Sequence, residues 1–260
     1  ALAELYDALS SRPEPETECR ARLLRARLLI GVDPMAAWHE VMRTVSMAID
    51  HGMLRYEVLA WGLATDAMIR LDRAEEVIER LRAGVARLDA HGEHLAAMEA
   101  RLHFARALRD VGRLPLARRT LEEAIDAGPP AYDTAPFGAG PALGLLAVLE
   151  RDSAPLAKLP RPARPTPAES CAWAIIDPLG RLLQGARPGT LPGAEVVRQA
   201  VSLGVDGLFL AQALTRALHE TRHIEAARAC LSALREGCHR LGHQAHSASR
   251  LIDRFEAGAS

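Results

Sequence analysis

The amino-acid sequence predicts an all-α protein, built as a right-handed α-solenoid of antiparallel helix pairs. Three observations carry the prediction. The stripe Ala117, Leu121 and Ala124 recurs as Val77, Leu81 and Gly84 and as Val41, Val45 and Ala48; Leu5 and Leu9 begin it once more before Pro13 interrupts. Offsets of three and four put each set on one helical face. The steps between stripes are 36, 36 and 40 residues, as expected of stacked hairpins that need their neighbours to bury their faces. Helix endings also match. AIDHG precedes Met53, RLDAHG precedes Glu93 and AIDAG precedes Pro129, each with glycine where a helix end takes a left-handed residue. Finally, Ala, Leu and Arg are abundant while aromatics make up 4%, a composition that favours helix.

The chain opens inside a helical pattern, Leu2, Leu5 and Leu9, and is expected to be a piece of something longer. Residues 16–30 carry Leu23, Leu24, Ala26, Leu28 and Leu29, after which Asp33–Pro34 reads as N-cap and first helical residue. Residues 55–70 carry Leu59, Trp61, Leu63, Ala64, Ala67 and Met68. Trp38 and Trp61 read as packing residues, because an aromatic at helical spacing belongs to a core stripe.

The clearest pair runs from Met98 to Pro129. Its first helix carries Phe104, Ala105 and Leu108, its second Leu114, Ala117, Leu121, Ala124 and Ile125; Gly112 lies between and Gly128-Pro129-Pro130 ends it. The small residues Ala105, Ala117 and Ala124 fall where antiparallel helices touch. This stretch resembles a tetratricopeptide repeat, a unit of about 34 residues. Phe104, Ala105, Leu108, Gly112, Ala117, Leu121, Ala124 and Pro129 match its large, small and turn positions, while Arg101 stands where the family often has tryptophan. The resemblance implies a TPR-like superhelix.

Beyond Pro129 the rhythm fails. Proline is dense up to LPRPARPTP at Leu159–Pro167, and only Ala142–Leu149 reads as helix. The expected organisation is therefore helical repeats over 1–128, an irregular connection over 129–166, and further repeats with a capping helix over 167–260, all one continuous solenoid. Thr166-Pro167-Ala168-Glu169 is a capping box. The helix it opens is expected to stop near Ile176, because Asp177–Pro178 resembles the Asp33–Pro34 start. A short helix covers Glu195–Leu203. The repeat returns over Asp206–Gly237, with Leu210, Ala211, Leu214 and Ala217 on its first stripe. Its second stripe is open by one residue: Ala226 or Ala227, Cys230 or Leu231, Ala233 or Leu234. A last helix is expected near Gln244–Phe255.

With 32 basic and 33 acidic residues, no global field draws the chain to nucleic acid or membrane. Cys19, Cys171, Cys230 and Cys238 show no CxxC spacing, which points to reduced thiols and a cytoplasmic protein. No apolar run approaches the ~20 residues of a membrane span, and no signal-peptide pattern opens the chain.

One string carries a chemical motif. His219-Glu220-Thr221-Arg222-His223 has the HExxH form, which on a continuous helix sets two imidazoles one turn apart for zinc and a glutamate as general base. It resembles the zincin metallopeptidase motif over five residues. Ala226 stands where the metzincin extension has glycine, and the repeat register puts a turn through Thr221–Arg222 as through Gly112–Arg113, so no metal site is expected. Glu236, His239 or His243 would be the third-ligand candidates. His239, His243 and His246, beside Cys238, read as a solvated helix end. Arg20–Arg27 and Arg118–Arg119 read as solvated charged faces. No Walker loop, GxGxxG or nucleophile elbow occurs, and no cofactor is expected.

What remains is a groove. The repeat resemblance implies that the exposed side of each first helix lines a partner-binding trough, here carrying His103, Arg106, Arg109 and Asp110, with Asp66 and Arg70 one repeat earlier. Two arginines three apart favour an acidic peptide or anionic effector. Repeats of 36 to 40 residues rich in Ala, Leu and Arg are similar to the sensor arms of LuxR-type and maltose-activator-type ATP-dependent bacterial regulators. The expected function is thus non-catalytic protein or effector binding within a transcriptional or signalling regulator. The alternatives are a zinc hydrolase at HETRH and a scaffold that binds only protein.

Overall fold

The computed structural model describes residues 14–126, 139–150, 165–185, 191–203 and 205–240. The helices expected near Leu2–Leu9 and Gln244–Phe255, the Gly128–Pro130 stop and most of the proline-rich stretch lie outside them. Among the described residues the protein is all-α, with eleven helices and no strand. Two compact units divide the chain, one up to Tyr132 and one from Asp133.

The first unit holds α1 (Pro15–Leu29), α2 (Pro34–Asp50), α3 (Leu54–Arg70), α4 (Glu75–Ala90), α5 (His94–Asp110) and α6 (Leu114–Asp126). Three- or four-residue connections make successive helices antiparallel neighbours. Each packs on the next, and α1 also meets α3 as α3 meets α5. Four of the connections are one turn repeated. Gly52, Asp72, Gly92 and Gly112, at twenty-residue intervals, all take positive φ, from 62° to 80°. After each, an N–H reaches back five residues: Met53 to Ala48 at 2.7 Å, Arg73 to Met68 at 2.8 Å, Glu93 to Leu88 at 2.9 Å and Arg113 to Leu108 at 2.8 Å. This left-handed closure satisfies carbonyls that the helix end leaves open. The α1–α2 connection differs. There the Asp33 carboxylate accepts from the Ala36 N–H at 2.9 Å, with Pro34 opening the helix, as the sequence predicts.

The turns fix a unit of twenty residues per helix and forty per pair, which corrects the register read from sequence. The buried positions of α2 are Ala37, Glu40, Val41, Thr44, Val45 and Ala48, those of α4 include Val77, Leu81 and Gly84, and those of α6 are Ala117, Thr120, Leu121 and Ala124. Ala37, Val77 and Ala117 are therefore equivalent, and Val41 matches Leu81. The apolar pattern slipped by one helical turn at Thr44. That residue is fully buried, and its hydroxyl donates to the Glu40 carbonyl at 2.9 Å, so a polar type sits in an apolar row.

The second unit holds α7 (Ala139–Leu149), α8 (Pro167–Leu183), α9 (Ala194–Ser202), α10 (Val205–Glu220) and α11 (Ile224–Arg240). Helix α7, from the stretch read as a connection, packs on α8 and α10; α9 packs on α8, α10 and α11. Their core gathers Leu145, Ile175, Ile176, Leu179, Leu210 and Leu214. The capping box is formed: Glu169 N–H donates to Thr166 Oγ1 at 3.2 Å and Thr166 N–H to Glu169 Oε2 at 2.7 Å. Helix α8 does not stop at Ile176. It continues through Pro178, which is buried with Leu179 and Leu182, while Ala174, whose carbonyl loses its helical partner, is exposed to water. Burial of the last turn overrides the local stop signal. On α11, burial selects Ala227 over Ala226 and Cys230 over Leu231, while Ala233 and Leu234 are both buried.

Candidate functional site

The forty-residue unit sets the polar residues of α3 and α5 in equivalent places. Asp66 corresponds to Arg106 and Arg70 to Asp110. The Arg106 guanidinium donates to Asp66 Oδ1, with side-chain exposures of 7% and 22%. His103 lies against Gly62 of α3, where a β-carbon would come within 2.7 Å of the imidazole Cδ2. His103, Arg106 and Arg109 are 5–6% exposed, whereas Asp66, Arg70 and Asp110 are half-buried.

That burial departs from the sequence expectation, which put His103, Arg106 and Arg109 on a face open to solvent. Helix α5 buries residues all round, including Ala96, Ala97, Ala100, Ala105 and Ala107. Such small residues let neighbouring helices approach until the long arginine and histidine stems are covered. A salt bridge so placed loses hydration, and breaking it strands the remaining charge. Outside this pair, the helices are tied by Arg87–Glu57 at 2.8 Å and Arg101–Asp89 at 2.6 Å.

Two further polar groupings escaped the sequence reading. Glu40 on α2 is 5% exposed, and Arg22, Arg25 and Arg43 approach its carboxylate at 3.3, 3.5 and 3.4 Å. Arg22, read as part of a solvated face, is 16% exposed. Glu16, Arg20 and Tyr56 form a closed triad. Arg20 Nε donates to the Tyr56 hydroxyl at 2.6 Å, that hydroxyl donates to Glu16 Oε1 at 2.7 Å, and Arg20 Nη2 donates to the same oxygen at 2.6 Å. The Tyr56 hydrogen bond, and then the Arg20 charge, hold the Glu16 carboxyl below its ordinary range; burial pushes the Tyr56 phenol up. Beside it opens a cleft of about 330 Å³ lined by Glu16, Met53, Tyr56, His91 and Glu93. The available signal was Tyr56 standing forty residues from Glu16.

In the second unit, HETRH straddles a turn. Helix α10 ends at Glu220, Arg222 takes φ 63°, and the His223 N–H closes on the Leu218 carbonyl at 2.8 Å. This is the left-handed closure of Gly112, placed at Thr221–Arg222 as the register predicts. His219 and His223 therefore do not stand one turn apart on a continuous helix. Glu220 Oε1 accepts from Arg216 Nε at 2.8 Å, and His223 Nδ1 lies 3.0 Å from Thr221 Oγ1. Among the described residues no group of three or more His, Cys, Asp or Glu side chains is placed to hold a metal. His243 and His246 lie outside the described residues, as do the side chains of Cys238 and His239. A cleft of about 510 Å³ between α8 and the start of α9 is lined by Trp173, Asp177, Pro178, Arg181 and Leu191.

Among the described residues no helix is long and apolar enough to cross a membrane. No family model, no curated protein and no solved structure matches the chain.

Proposed function

We propose that the chain is a non-catalytic helical-repeat module that binds a protein segment or an anionic effector along the polar band of α3 and α5. The observation that carries this reading is the forty-residue equivalence of Asp66 with Arg106 and of Arg70 with Asp110, which aligns charged side chains across two successive first helices. Asp66, Arg70 and Asp110 form its accessible rim, while His103, Arg106 and Arg109 lie beneath. Arg70 is the arginine of that rim, and its planar fork of donors suits a carboxylate or phosphate, while the Arg106 guanidinium is engaged by Asp66.

The architecture we propose is a right-handed TPR-like solenoid, supported by repeated antiparallel pairs and one repeated turn. Its forty-residue unit exceeds the 34 residues of a tetratricopeptide repeat and suits the longer, degenerate repeats of LuxR-type and maltose-activator-type regulator arms. A cytoplasmic setting belongs to the same proposal, supported by the free, buried thiols of Cys19, Cys171 and Cys230. The turn through Thr221–Arg222 supports the non-catalytic reading over a zinc hydrolase at HETRH.

A photo-crosslinking amino acid placed at Arg70, and separately at the exposed Arg82 of α4, tests the band. In cell extract, position 70 is expected to give a discrete protein adduct, or to have its adducts suppressed by a small anion, and position 82 is not. Equal adducts at both positions, or none at 70 with no protection, would remove the band as the binding face.

A further inference from the structure

In the second unit, the cleft of about 510 Å³ lies between α8 and the chain entering α9, a size within the ~300–1,000 Å³ usual for small-molecule sites. Pro178 shapes its α8 wall. Proline has no N–H, so the Ala174 carbonyl, four residues earlier, has no helical donor to accept from. Ala174 is exposed and lines the cleft, whereas Trp173 and Pro178 beside it are buried. A carbonyl opened in this way takes its donor from whatever enters the cleft.

Arg181 stands at the other end of the same wall. Residues 174, 177, 178 and 181 follow helical steps of three and four, so they share one face of α8. Seven residues of helix set Ala174 and Arg181 about 10 Å apart. Arg181 is exposed, and among the described residues no hydrogen bond or ion pair engages it. Asp177, one turn before it, is half-buried and has a partner of its own. Between the two ends the lining is apolar: Trp173 and Pro178 from α8, Leu191, and Val196 from the first turn of α9.

We propose that this cleft binds a small aromatic carboxylate that carries a hydrogen-bond donor at its far end. The carboxylate would meet the Arg181 guanidinium, the ring would lie against Trp173 and Pro178, and the donor would reach the Ala174 carbonyl. An anion answers the exposed guanidinium, and a donor answers the acceptor that proline opened. The proposal is independent of the α3–α5 band.

The test uses the full chain and three probes. These are para-hydroxyphenylpropionate, phenylpropionate, which lacks the hydroxyl, and para-hydroxyphenylpropionamide, which lacks the charge. Binding is followed by NMR through the indole N–H signals of the three tryptophans, with that of Trp173 assigned by its loss in Trp173→Phe. The hydroxylated acid is expected to shift the Trp173 signal saturably. The amide should bind about fivefold more weakly, and so should the acid without the hydroxyl, by about fivefold. Arg181→Gln, at an exposed position, should bring the hydroxylated acid down to the amide. Pro178→Ala returns an N–H to the Ala174 carbonyl, so the two acids should then bind alike while the amide stays weaker. No saturable shift, equal binding of acid and amide, or unchanged affinity in Arg181→Gln would overturn the proposal. So would a preference for the hydroxylated acid that survives in Pro178→Ala. Octanoate binding as tightly as the hydroxylated acid would assign the cleft to an aliphatic chain and also overturn the proposal.

Discussion

Gly62 sets how closely α3 and α5 approach, because a β-carbon there would meet the imidazole ring of the buried His103. Gly62→Ala is expected to force the ring or the helix aside and lower stability by about 1–3 kcal/mol, read as a fall in denaturation midpoint. The turns make the opposite prediction. Asp72 and Arg222 hold the left-handed conformation that glycine holds at positions 52, 92 and 112. A side chain there costs on the order of 1–2 kcal/mol, so Asp72→Gly and Arg222→Gly should each raise stability by up to ~1 kcal/mol; a fall in thermal midpoint would contradict this. Gly112 was legible in the sequence as a turn because it punctuates two stripes. Gly62 was not. It sits within a helix, and its reason, a histidine forty-one residues away, belongs to packing.

Helices were legible where local chemistry marks them: the Asp33–Pro34 start, the Thr166 capping box, and Ala117 and Ala124, which are buried as their spacing predicts. They were misread where tertiary contact prevails. Pro178 lies inside α8 because the turn that contains it is buried, and Thr44 hides one step of the α2 stripe. Another contact of this kind joins α9 and α10. Gly207 stands so close to the Ala200 carbonyl that a β-carbon cannot fit without moving backbone. Gly207→Ala should push the two helices apart and cost about 3 kcal/mol. Calorimetry of the full chain would measure the loss, and an unchanged transition would show that the helices do not meet there.

At the scale of the molecule, the all-helical class of the described residues followed from the recurring stripe, the matching helix endings and the composition, and the turn through Thr221–Arg222 followed from register. The burial of His103, Arg106 and Arg109 did not. Charged residues between apolar stripes look solvated until the neighbours that cover them are known, and α5 is surrounded because its alanines admit close helices. The central claim is that successive first helices stack at forty-residue intervals and join their polar faces, with Asp66 meeting Arg106. A charge-swap cycle on that pair tests it most directly. Asp66→Arg alone and Arg106→Asp alone each place like charges together in a buried site and should cost about 3 kcal/mol or more. The double swap should recover at least half of the summed loss in chemical denaturation. If the two losses instead add to within ~0.5 kcal/mol, the side chains do not face each other and the stacking is wrong.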